Sequence, residues 1–102
     1  MIAFVADADP PPREVRVNFG IFAGRPTTPA EVDELARLLL PELREATIVA
    51  EDRHELSGHS EALVHQVRIE LPDGADAERV VELAEQWAQA CIAERHAEVS
   101  EL

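Results

Sequence analysis

Lysine is missing from this chain. All nine of its basic residues are arginine, against 21 acidic residues, and the formal net charge is −12. A chain this acidic repels phosphate backbones, which argues against nucleic-acid binding. Anionic membrane surfaces are disfavoured for the same reason. Cysteine is also scarce. Cys91 is the only one, so no intramolecular disulfide can form, and its place on the apolar stripe of an expected helix reads as a small buried hydrophobe. The N-terminal Met-Ile-Ala-Phe-Val-Ala-Asp has no basic region and only a short apolar run, unlike a signal peptide. No hydrophobic run approaches the length of a membrane span. These absences lead to the expectation of a cytoplasmic protein. Motifs for familiar chemistry are lacking too. Gly20 and Gly24 make no phosphate loop, and there is no serine nucleophile elbow and no Cys-x-x-Cys pair. No sequence feature calls for a cofactor.

What is present fits one domain over residues 1–102. A chain of 102 residues can bury roughly 60–65% of its unfolded surface in a single core. Residues 1–12 read as an N-terminal strand or arm followed by a proline linker, Pro10-Pro11-Pro12. The apolar Ile2 to Ala6 run favours docking onto a sheet edge. Residues 97–102 read as a frayed end.

The clearest element is Ala62 to Leu71. Leu63, His65, Val67, Ile69 and Leu71 alternate with Ala62, Val64, Gln66, Arg68 and Glu70, the pattern of a strand with one buried face. Val15 to Phe22 alternates in the same way and is expected to be a strand, ended by Gly24-Arg25-Pro26. Thr28-Pro29-Ala30-Glu31 starts a helix with a capping box and proline at its first position. That helix presents Val32, Leu35, Ala36, Leu39, Leu40 and Leu43, and Pro41 must end or kink it. Ala46 to Leu56 is another strand, joined to Ala62–Leu71 by Ser57-Gly58-His59-Ser60. Gly58 at the first central position suits a two-residue turn with positive φ. After Pro72-Asp73-Gly74, Asp73 or Asp76 caps a long helix carrying Ala77, Val80, Ala84, Trp87, Ala88 and Cys91.

The order strand, helix, strand, strand, helix predicts an α+β two-layer sandwich, βαββα. If the third strand lies between the other two, the sandwich resembles the ferredoxin-like arrangement lacking its last strand, with an extra N-terminal edge strand if residues 2–6 dock. Residues expected in the core include Val17, Phe19, Ile21, Leu35, Leu39, Ile48, Val67, Ile69, Val80, Ala84, Trp87 and Cys91.

The turn also predicts a register. If Ser57 pairs with Ser60, then Ala50 faces Val67, Ile48 faces Ile69 and Ala46 faces Leu71. On the other face, Val49 meets Arg68 and Glu51 meets Gln66. A slip of one residue would reverse every side chain of one strand. The same register sets Asp52 opposite His65 and His54 opposite Leu63. An aspartate beside a histidine orients the imidazole, as acid–base work requires. Asp52, His54 and His65 are therefore the candidate ligand or acid–base site. The competing reading is a hairpin that projects beyond the helices, where polar residues simply meet water. Metal binding needs three or four converging ligands; His54 and His59 across a turn are too few, and no metal is assigned. Arg16, Arg53 and Arg68 on the other sheet face could hold an anion, but Glu51, Glu55 and Glu70 share that face and favour cross-strand ion pairs.

Two function classes follow. One is a non-enzymatic module that homodimerises and binds a protein or a small ligand. The other is a cofactor-free dimeric enzyme in which Asp52 and His65 transfer protons. The charged open face favours the binding module, because dimers that enclose a cavity between two such faces need apolar lining.

Overall fold

The computed structural model describes residues 2–6, 13–58 and 60–100, with positions 53, 55, 57, 61 and 94–100 described by their backbone. The proline linker at 10–12 lies outside them. The fold is α+β, with a four-stranded antiparallel sheet and three helices. The strands are β1 (Ala3–Ala6), β2 (Glu14–Val17), β3 (Thr47–Ser57) and β4 (Ser60–Glu70). The helices are α1 (Phe19–Ala23), α2 (Pro29–Leu39) and α3 (Ala77–Ser100). Strand order is β1-β2-β4-β3.

The hairpin forms in the register that its turn demands. Ser57 pairs with Ser60, Ala50 with Val67, Ile48 with Ile69 and Asp52 with His65. Gly58 takes φ 58°, a backbone conformation that favours glycine. The ladder opens at Thr47–Glu70, so the expected Ala46–Leu71 pair is not part of it. Leu71 instead donates its amide to the Arg13 carbonyl at 3.0 Å. On the other side of β4, Val17 pairs with Val67 and Val15 with Ile69. The Ile2–Ala6 segment docks through β1 on the outer edge of β2, and Ile2 anchors there by donating to Glu85 Oε1 on α3.

One sheet face carries Val15, Val17, Val67 and Ile69, all buried against Leu35, Leu39, Val80, Ala84 and Trp87 of the helices. The opposite face is charged. Ladder partners there are alike, Glu14 with Glu70 and Arg16 with Arg68, an unfavourable arrangement on its own. The charges resolve diagonally. Glu14 binds Arg16 at 2.7 Å and Arg68 at 3.1 Å, and Arg68 also binds Glu51 at 2.9 Å. Burial raises the Glu14 pKa, but its bonds to Arg16 and Arg68 outweigh that and hold it below the usual value. Arg68 thus pairs with carboxylates across strands, Glu14 on β2 and Glu51 on β3, whereas Arg16 pairs with Glu14 of its own strand.

Three sequence expectations need correction. Val15 to Phe22 is not one strand: β2 stops at Val17 and the chain coils into α1. Asn18 leaves the strand, and Gly24 closes the short helix with φ 73°. Ile21 consequently faces solvent, 64% exposed, rather than the core. Leu40, assigned to the apolar stripe of α2, is also exposed, because the helix ends at Leu39 and the chain turns. Leu43 is buried past that turn, its amide bonded to the Leu39 carbonyl.

The helices meet at Glu31. Its amide and carboxylate complete the capping box with Thr28. The same carboxylate binds both terminal nitrogens of Arg25 at 2.8 Å, a bidentate and charge-assisted arrangement. Its backbone carbonyl accepts the Trp87 indole N–H at 2.8 Å. Trp87 in turn packs on Phe19 with centroids 5.4 Å apart, and the Arg25 guanidinium lies over the Phe19 ring at 5.2 Å. Burial pushes the Cys91 thiol up to about 12, helped by its hydrogen bond to the Glu31 charge. That thiol is an inert part of the core.

Arg25 first, with the Thr28 bonds in support, holds the Glu31 carboxyl down from 4.5 to about 2. A lowered carboxyl stabilises the fold fully above its unfolded value of 4.5, and that stabilisation fades as pH falls towards 2. Its size is on the order of 3 kcal/mol. Acid unfolding followed by circular dichroism should show this loss between pH 4.5 and 2. Glu31→Gln should be less stable at neutral pH and flatten that limb; an unaltered limb would contradict the assignment.

Candidate functional site

Beyond Val67 the hairpin continues without a strand on the β2 side of β4, since β2 pairs only with residues 67–70. Helix α1 takes that place. Asn18 Oδ1 accepts from the Gln66 side chain at 2.7 Å, which ties the start of α1 to β4. Gly20 lies so close to β4 that an added Cβ would sit 2.7 Å from His65 Cβ and 3.0 Å from its backbone nitrogen. Only glycine allows this approach.

Between α1, the loop after it and the hairpin lies a cleft of about 240 Å³. Phe19, Pro26, Ala50 and Val67 supply apolar lining, while Thr27, Asp52, His65 and Gln66 supply polar groups. The buried Phe19 and Val67 are core residues that also line it.

Asp52 Oδ1 and His65 Nδ1 are 2.5 Å apart. Nδ1 is the donor to an ionised carboxylate, and in the neutral ring Nε2 is then the acceptor. Among the described residues no side chain or backbone group bonds His65 Nε2. The pair is only half enclosed: the side chains are 27% exposed for His65 and 62% for Asp52. Chemically, such a pair can accept a hydrogen bond or a proton at Nε2.

Of the three residues singled out from the sequence, the structure brings Asp52 and His65 together. His54 lies two positions further along β3, opposite Leu63, exposed and outside the cleft lining. His59 lies outside the described residues. Among the described residues no three His, Cys, Asp or Glu side chains converge as a metal would need. Sequence reasoning missed Gly20, Phe19, Pro26 and Thr27. Gly20 did carry a signal, since a glycine inside a strand pattern marks a bend or a close backbone approach.

Comparison with protein families, with curated proteins and with solved structures finds no match. Function is therefore argued from the cleft itself.

Gly20→Ala should cost roughly 1–3 kcal/mol, the range for an overpacked contact, and should shift the His65 ring signals in NMR spectra. Gly24→Ala, where a Cβ meets nothing within 4 Å but φ is 73°, should destabilise without moving those signals. Equal effects of the two on His65 would show that the close approach does not position the ring.

Proposed function

We propose that this protein is a cytoplasmic, non-enzymatic binding module that works as a homodimer and takes a small ligand in the cleft at Asp52 and His65. The observation that carries the reading is His65 itself. One ring nitrogen is fixed by Asp52 at 2.5 Å and the other has no partner among the described residues, in the lining of a half-apolar cleft. Such a site selects a small molecule that donates a hydrogen bond and carries an apolar body. Glu51 and Asp52 also line it, and the chain charge is −12. Both favour an amine over an anion. We read the fold as a ferredoxin-like arrangement in which β1 occupies the place of the absent last strand. The support is that β4 lies between β2 and β3; the analogy lends no function. No helix of the described residues is long and apolar enough to cross a membrane, which accords with the cytoplasmic reading.

The second reading is a cofactor-free enzyme in which His65 moves a proton while Asp52 holds the ring. The unpartnered Nε2 favours it. The exposure of Asp52 weighs against it, because acid–base groups work best where water is excluded.

Native mass spectrometry of freshly purified protein should show a small-molecule adduct that His65→Ala abolishes without loss of fold. Benzylamine should shift the His65 and Phe19 NMR signals at concentrations where benzoate does not. Protein free of adduct, together with equal or absent shifts from both probes, would contradict the proposal.

A further inference from the structure

β3 is an edge strand eleven residues long, and no strand of the described residues lies on its outer side. Exposed edges of this length are ordinarily blunted by proline, lysine or a bulge. β3 has no proline, lysine or bulge and is blunted only by the charges of Glu51, Asp52, Arg53 and Glu55: its sequence is TIVAEDRHELS and its ladder with β4 runs unbroken from Thr47 to Ser57. The same hairpin leaves Leu56 77% and Leu63 51% exposed, on the face that carries the core further down the strands.

We infer that a second copy of this chain pairs along β3, antiparallel and about a two-fold axis at Asp52, and that it completes the cleft by bringing His54 of the partner subunit beside Ala50 and Asp52. The inference rests on the homodimer proposed above and says where its interface lies. The register follows from length and parity. An antiparallel pair about a two-fold axis keeps both copies' helices on one side of a continuous sheet, so residues opposite each other share a face. Only pairing centred on Asp52 uses the whole of Thr47–Ser57. It sets Ile48 opposite the partner's Leu56, which covers an otherwise exposed leucine. On the axis it sets Asp52 opposite the partner's Asp52, an unfavourable like-charged pair, while on the other face Glu51 stands opposite the partner's Arg53 twice over by symmetry, two attractive pairs. Ala50, which lines the cleft, then stands opposite the partner's His54, at the ~4.5–5.5 Å spacing of facing residues. Asp52 is the diagonal neighbour of that histidine. His54, which the single chain holds outside the cleft, thereby joins Asp52 and His65 in a site shared by two subunits.

Position 52 meets its own copy on the axis, so Asp52→Cys should form a disulfide-linked dimer in air. Glu51→Cys, displaced along the strand, should not, because cysteines with Cα atoms more than ~7 Å apart cannot bridge. Leu56→Lys should weaken a wild-type dimer at least about tenfold. A dimeric wild type with no cross-link at position 52, equal cross-linking at 51, or no effect of Leu56→Lys would overturn pairing along β3 and leave the homodimer standing. A wild type that sediments as a monomer at high micromolar concentration would overturn both.

Discussion

Glu31 binds more of this molecule together than any other single residue described. Its carboxylate closes the N-terminus of α2 and grips Arg25, and its carbonyl receives Trp87 from α3. An acidic residue in the first turn of a helix is ordinarily worth a few tenths of a kcal/mol to about one. Here the same group also neutralises a guanidinium that lies over the Phe19 ring. Losing the charge would leave Arg25, whose side chain is only 19% exposed, without its two carboxylate bonds. The interaction is therefore local by sequence at one end and long-range at the other.

That junction determines what stands beside the hairpin. Phe19 must reach Trp87, and Arg25 must return to Glu31, so the chain between them has to shorten. Continued as a strand, residues 18–23 would have run along β4 away from α3. Coiled as α1, they bring Phe19 into the core and lay Gly20 on His65. The cleft exists because α1 replaces a strand there, leaving the Asp52–His65 pair faced by a helix and a loop.

Elements governed by neighbours in sequence were legible without coordinates. The β3–β4 register followed from one glycine turn and the alternation of Ala62–Leu71, and it delivered the Asp52–His65 contact. The capping box at Thr28 was equally readable, being a four-residue motif. Features set by distant partners were not. Alternation alone extended β2 through Phe22, although Gly20 within it marked a close approach. The bonds of Glu31 to Arg25 and Trp87 span six and 56 positions, and no periodicity signals them. The burial of Glu14 among like-charged ladder partners was hidden for the same reason. The site was thus half visible: its polar pair came from the register, and its walls came from tertiary packing.

The central claim is that the Arg25–Glu31 junction holds α1 against the hairpin and so shapes the cleft. Hydrogen exchange in Arg25→Ala tests it most directly. The Gly24 amide, bonded to the Gly20 carbonyl at 2.8 Å, should lose protection along with the rest of α1, while the amides of β4 residues paired with β2 keep theirs. Protection of α1 that persists unchanged, or that falls equally across the whole sheet, would contradict the account.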